Sequence, residues 1–108
     1  MENNMAEDTN ESNHDAWHYF VTYTGVKLPL RLITPLDPAD VKNRNTYMRA
    51  YFDAGERMTV CQKIVYGEIE LEHRYRYHDN GAVMQVEISF AGEESGSMRF
   101  DRDGKPQL

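Results

Sequence analysis

The residue best suited to chemistry in this sequence is His73, which lies in a stretch that alternates polar and apolar side chains. If that stretch is a strand, hairpin spacing sets His73 beside Gln62 and Gln62 beside Thr46. The three would form a polar row across three strands, inside an apolar surface that also holds Tyr75. A buried polar row must be hydrogen-bonded, because one group without a partner costs roughly 1–3 kcal/mol. These four residues are therefore predicted to form a core network or the polar anchor of a ligand pocket.

The sequence offers no catalytic or metal-binding arrangement around this row. A catalytic histidine needs a partner of tuned pKa in the same cavity, and the predicted face holds no carboxylate. The four histidines are scattered, without a Cys-x-x-Cys pair or a helical His-x-x-x-His pair. The lone Cys61 is predicted on the polar side beside Arg74 and Tyr47, where arginine would lower its thiol pKa, but a single cysteine on a strand is most often structural. We predict no enzyme, no metal and no cofactor.

Strands must position these residues, because a hydrophobic period of two runs from Trp17 onward. Pro38 follows Asp37, which predicts a capped helical turn over 38–42. The fold class is therefore all-β, an antiparallel meander of about seven strands with one short helical turn. The turns that separate the strands are predicted at Thr24-Gly25, Asp53-Ala54-Gly55, Gly67-Glu68, Asn80-Gly81 and Glu93-Glu94-Ser95.

One face of the predicted sheet carries nine of the twelve aromatic residues. So apolar a face must be covered, and no amphipathic helix is available to cover it. We expect the sheet to curl into a half-open barrel or to fold into two layers. Pairing with a second copy of the chain is the alternative.

Three aromatic residues, Phe20, Tyr47 and Tyr51, fall on the otherwise polar face of the predicted sheet. Arg49 lies between the last two in the sequence. Exposed aromatic side chains near an arginine are typical of protein–protein interfaces. These four residues are therefore predicted to bind a partner protein.

The charge of the chain, −6 in all, is unevenly distributed. Residues 1–16 carry five acidic groups and no Lys or Arg, and are predicted to be a disordered acidic tail. Residues 17–108, the predicted single β domain, carry 12 basic and 13 acidic groups, a charge of −1. This balance argues against nucleic-acid binding. No apolar stretch reaches the ~20 residues of a membrane span. With one cysteine and no secretory signal, the chain is predicted to be cytoplasmic.

Two stretches of the sequence carry a resemblance to known families. Three aromatic residues each lie four positions before a hairpin glycine: Tyr51, Tyr77 and Phe100 precede Gly55, Gly81 and Gly104. This spacing, with residues 75–105, resembles the hairpin repeats of MORN-type and MORN-variant antitoxin proteins, and implies an antitoxin-like binding module. Residues 19–30, with their Y-F-x-x-Y-x-G-x-K-L-P-L pattern, resemble the opening of a family of small uncharacterised bacterial proteins, a resemblance that implies no site.

The function that these observations favour is binding of another protein by a small non-enzymatic cytoplasmic module, either an accessory protein or an inhibitor of the antitoxin type. The alternative is a β-barrel carrier of a small apolar or aromatic ligand, with His73 and Gln62 as its polar anchor. The predicted partner is a protein, a second copy of the chain included, rather than nucleic acid or membrane.

Overall fold

The computed structural model describes residues 16–25 and 27–107, which form one eight-stranded antiparallel sheet. The all-β meander with one short helical turn is confirmed, with an eighth strand beyond the expected seven. The predicted acidic tail, apart from Ala16, lies outside the described residues. The strands are β1 (His18–Thr24), β2 (Arg31–Leu36), β3 (Thr46–Phe52), β4 (Met58–Val65), β5 (Glu68–Tyr77), β6 (Val83–Phe90), β7 (Gly96–Phe100) and β8 (Pro106–Gln107).

The sheet is open. Its strand order is β2-β1-β3-β4-β5-β6-β7-β8, so the edge strands β2 and β8 do not pair with each other. A 3₁₀ turn over Pro38–Asn43 carries the chain from β2 past β1 to β3. Its first residue is the predicted proline, and the Oδ1 of Asp37 accepts a hydrogen bond from the backbone N–H of Ala39 at 3.1 Å.

One face of the sheet holds the core, and we call it the core face. Its most buried side chains include Met48, Ala50, Cys61, Tyr75 and Val86, each no more than 3% exposed. They lie on one side because strand side chains alternate and these residues are in register across the ladder. We call the opposite side the outer face.

The cover that the apolar face requires comes from the connection between β1 and β2. A two-residue loop was predicted at Thr24-Gly25, but Thr24 pairs with Arg31, so the connection comprises residues 25–30. Leu28 and Leu30 of this connection pack against the buried core. The predicted register of this hairpin is therefore wrong, because these leucines leave the ladder to cover the sheet.

The turn between β4 and β5 lies one residue earlier than predicted. Val65 pairs with Glu68, so the turn residues are Tyr66 and Gly67, whose φ angles are 49° and 81°. Both residues adopt the left-handed conformation of a type I′ turn, in place of the predicted type II′ turn at Gly67-Glu68. The shift of the turn, combined with a β-bulge beside Lys63 and Ile64, places Cys61, and not Gln62, opposite His73.

The predicted turn at Asn80-Gly81 is present, but it is not a two-residue type I′ turn. The N–H of His78 donates to the carbonyl of Ala82, which closes a three-residue loop with Gly81 at φ 89°. An extra residue at the start of β6, Met84, forms a bulge opposite the end of β5, so Tyr77 pairs with Val83 and not with Met84.

Three turns at the same end of the sheet share one hydrogen-bond pattern, at residues 53–57, 78–82 and 101–105. In each, the first N–H donates to the last carbonyl, and the fourth N–H donates to the first carbonyl. The fourth residue is left-handed, and in the first turn it is Glu56 rather than the predicted Gly55. The repeated spacing of aromatic residues and glycines in the sequence reflects this repeated hairpin geometry.

Candidate functional site

Five side chains form a cluster on the outer face, on and beside β1 and β3. The rings of Trp17 and Tyr51 are stacked with centroids 4.1 Å apart, and the guanidinium of Arg49 lies 4.3 Å from the centroid of Trp17. Tyr19 and Tyr47 meet edge to face at 5.9 Å. All five are partly exposed. We call them the outer aromatic cluster.

A chain of hydrogen bonds holds the arginine of this cluster in place. The Nε of Arg49 donates to Gln62 Oε1 at 2.8 Å, and Gln62 Nε2 donates to Glu72 Oε2 at 2.6 Å. Glu72 Oε1 also accepts from Arg74 Nε at 2.9 Å. The chain crosses β3, β4 and β5, and Gln62 at its centre is only 5% exposed. The Arg49 guanidinium is therefore oriented by a buried amide as well as by the Trp17 ring.

Glu72 is ionised at the far end of this chain. Its partial burial raises the pKa of the carboxyl group, but hydrogen bonds from Gln62 and Arg74 outweigh burial and leave the pKa below its usual value. The charge of Glu72 is taken up by Arg74 and Gln62. Among the residues that the structure describes, no carboxylate forms an ion pair with Arg49.

Three of the four predicted partner-binding residues come together in this cluster, namely Tyr47, Arg49 and Tyr51. The outer-face position predicted for Phe20 is wrong. Phe20 pairs with the buried Met48 and packs against the core, because the phase of β1 places Tyr19 opposite Arg49. Sequence reasoning missed Tyr19 and Trp17 for the same reason. Their position follows from the pairing of β1 with β3. The turn residues in the sequence indicate only which consecutive strands pair, so they did not predict this contact.

The predicted ligand-pocket residues do not form a row. Thr46 pairs with Val65 and is exposed, and Gln62 lies on the outer face, opposite Arg49. His73 and Tyr75 do lie together on the core face, 6% and 3% exposed. The predicted polar row is therefore split between the two faces of the sheet.

His73 and Tyr75 instead bind the β1–β2 connection to the sheet. The hydroxyl of Tyr75 accepts a hydrogen bond from the backbone N–H of Leu30 at 3.0 Å and lies 2.7 Å from His73 Nδ1. Burial lowers the pKa of His73 and so favours the neutral imidazole, whose Nδ1 can accept the proton of the Tyr75 hydroxyl. Cys61 lies opposite His73, and burial raises the pKa of its thiol to about 12.

The neutrality of His73 predicts a dependence of stability on pH. Burial lowers the pKa of His73 below its usual value near 6.5. Below that pH the unfolded chain binds a proton that the folded chain excludes, so the free energy of unfolding should decrease as the pH falls, by up to about 1.4 kcal/mol per pH unit. This decrease in unfolding free energy is measured by urea unfolding of the wild type and of His73→Gln between pH 7.5 and 5.5. Parallel stability curves for the two proteins would contradict the assignment.

An apolar groove lies between the β1–β2 connection and the turns at one end of the sheet. Its volume is about 620 Å³, and its apolar lining includes Leu28, Val83, Met98 and Phe100. This volume is within the range of small-molecule sites. None of the predicted anchors Thr46, Gln62, His73 and Tyr75 lines it.

Two further observations concern metals and membranes. Within residues 16–25 and 27–107, His, Cys, Asp and Glu side chains nowhere gather in a group of three or more that could hold a metal ion. In the same ranges, no helix combines the length and the apolar character that a membrane crossing needs.

Comparison with known proteins gives one finding, at the level of the family. No curated protein and no solved structure matches the chain at a significant level. The family match lends no support to the resemblance to MORN-type repeats. It extends over residues 12–108, so the outer aromatic cluster and the His73–Tyr75 pair both lie inside it, and the chain belongs to the Family of unknown function (DUF6156).

Proposed function

We propose that this protein acts by binding another protein through the outer aromatic cluster. The observation that carries the proposal is the Arg49 guanidinium, which is stacked on Trp17, oriented by Gln62 and not ion-paired to any described carboxylate. Aromatic and arginine side chains supply much of the binding energy at protein interfaces. Here they are already ordered against one another, so less conformational entropy is lost when a partner binds.

The proposed role is non-enzymatic, as an accessory or inhibitor module of the antitoxin kind in the cytoplasm. Support comes from the two side chains best suited to acid–base or nucleophilic chemistry. Cys61 is 1% exposed with a raised thiol pKa, and His73 is 6% exposed and hydrogen-bonded to Tyr75. Neither is in a position to meet a substrate without unfolding of the core.

A comparative pull-down tests the proposal. The tagged wild type, the double variant Arg49→Gln/Tyr51→Ser, and Phe90→Ser are incubated with lysate of the organism that encodes the protein, and bound proteins are identified by mass spectrometry. Phe90 is 51% exposed and lies on the core face, opposite Leu71, so it is the matched control. We expect one set of proteins to be bound by the wild type and by Phe90→Ser and lost at least tenfold from the double variant.

The double variant must also be folded for this comparison to hold. Its thermal melting curve is therefore recorded beside that of the wild type. Equal capture by a folded double variant would contradict the proposed surface.

The apolar groove supports a second candidate function, retention of a small apolar or aromatic ligand. Its lining of Leu28, Val83, Met98 and Phe100 fits such a molecule, and Lys27 at the same site offers one positive charge. In this form of the carrier hypothesis the anchor is not His73 with Gln62, because those two residues lie on opposite faces. Native mass spectrometry of the purified protein distinguishes the two functions, since only a carrier retains a small molecule.

A further inference from the structure

The outer face is more basic than the chain as a whole. Strands β3, β5, β6 and β7 place four arginines and two glutamates on this face, a formal charge of +2, whereas the whole chain carries −6. The ladder aligns them side by side across the sheet. They are Arg49, Arg74, Arg76 and Arg99, with Glu72 and Glu87.

Most of these arginines have no carboxylate partner among the described residues. Arg74 is bound to Glu72, but Arg49 binds the neutral amide of Gln62, and Arg99 Nη1 binds the neutral amide of Gln85 at 3.3 Å. Arg76 is exposed and in no described ion pair. A guanidinium binds a carboxylate with two parallel hydrogen bonds. The face therefore retains the capacity to bind several carboxylates.

The first fifteen residues of the chain are complementary in charge. They contain five Asp and Glu residues and no Lys or Arg, a formal charge of −5. They join the described part of the chain at Ala16, next to Trp17, whose ring lies under the guanidinium of Arg49. The acidic segment is thus covalently attached at the edge of the basic face.

Fifteen residues are long enough to reach the arginines of β5. Three strand spacings separate β1 from β5, a distance of about 14 Å at ~4.8 Å per spacing. An extended chain covers up to about 3.3–3.6 Å per residue, so five residues already cover this distance.

We infer that residues 1–15 bind to the outer-face arginines of their own chain and compete with the protein partner. This inference rests on the proposed function, because both use the outer aromatic cluster. A partner that displaces the segment must supply carboxylates of its own, so the partner class is a protein with an acidic segment. Only the fraction of molecules with a free face binds that partner, and the apparent affinity is lowered by that fraction.

Two-dimensional ¹H–¹⁵N NMR of the full chain tests the inference. The variant Glu2→Gln/Glu7→Gln/Asp8→Asn/Glu11→Gln removes four charges and keeps the length of the segment. Asp15 is left unchanged, because a substitution two residues from Trp17 would shift its indole resonance directly. The control is Glu93→Gln/Glu94→Gln, which changes the net charge in the exposed connection between β6 and β7.

We expect the side-chain Nε–Hε resonances of Arg49, Arg74 and Arg76 and the Trp17 indole resonance to differ between the wild type and the four-site variant at ~20 mM salt. The difference should vanish at ~0.5 M salt, because the Debye length falls from about 20 Å to about 4 Å. The control should coincide with the wild type at these positions at both salt concentrations.

Coincident arginine and indole resonances of wild type and four-site variant at low salt would overturn the inference. Differences that grow with protein concentration would assign the segment to a second copy, which overturns binding within one chain. Because the chain is measured alone, this result is independent of whether the pull-down finds a partner.

Discussion

The variant Tyr75→Phe should lose about 2–4 kcal/mol of unfolding free energy at pH 7.5, although it removes a single oxygen atom. That oxygen accepts the hydrogen bond from the backbone N–H of Leu30 and is bonded to His73 Nδ1. Without it, two polar groups lose their partner, and each such loss costs roughly 1–3 kcal/mol. Leu30 is only partly buried, so its N–H contributes at the low end of that range. The β1–β2 connection also loses its polar attachment to the sheet. Urea unfolding followed by circular dichroism measures the change.

Tyr66→Phe is the matched control for this variant. It removes the same hydroxyl from a tyrosine that is 76% exposed in the β4–β5 turn, so its stability should stay within about 0.5 kcal/mol of the wild type. If Tyr75→Phe were as stable as Tyr66→Phe, the hydroxyl of Tyr75 would not be the group that holds the connection.

The second large effect is expected from Met48→Ala on β3. Met48 is 2% exposed in the centre of the core face, so its truncation leaves a cavity that the surrounding strands only partly fill. Such truncations cost about 2–5 kcal/mol. The denaturant midpoint should fall while the slope of the unfolding curve is unchanged, because the fold is retained.

Met98→Ala removes the same side chain from a site that is 45% exposed on β7. Its cost should stay below about 1 kcal/mol, since little apolar surface is buried there. Equal losses for the two methionine variants would contradict the location of the core between β3 and β6.

The fold could be predicted because its main signals are local. A period of two indicates strands, and the capped turn at Asp37-Pro38 and the hairpin between β5 and β6 were found from adjacent residues. What local reasoning did not fix was the register across each turn. Gly67 can be the first or the second residue of a two-residue turn, and the structure uses it as the second, with Tyr66 as the first. That change moves the pairing by two residues and leaves every side chain on its face. The β-bulge beside Lys63 and Ile64 adds a slip of one residue, which exchanges the two faces of a strand and puts Cys61 in the place predicted for Gln62.

The candidate site was predicted less completely, because its members meet through distant pairing. Tyr47, Arg49 and Tyr51 were found from alternation within β3. Trp17 was missed because its position depends on the pairing of β1 with β3, more than thirty residues away in the chain. The hydrogen bond between the Leu30 N–H and the Tyr75 hydroxyl joins residues 45 positions apart, and no local sequence pattern predicts it.

The open sheet leaves two edge strands whose backbone groups are available to other chains. Each edge carries a proline, which has no N–H to donate: Pro35 in β2, next to Thr34 at φ 63°, and Pro106 in the two-residue β8. Such edges are poor templates for the addition of a further strand. The protein should therefore resist edge-to-edge aggregation at high concentration although its sheet never closes, and the substitution Pro35→Val is the change most apt to remove that protection.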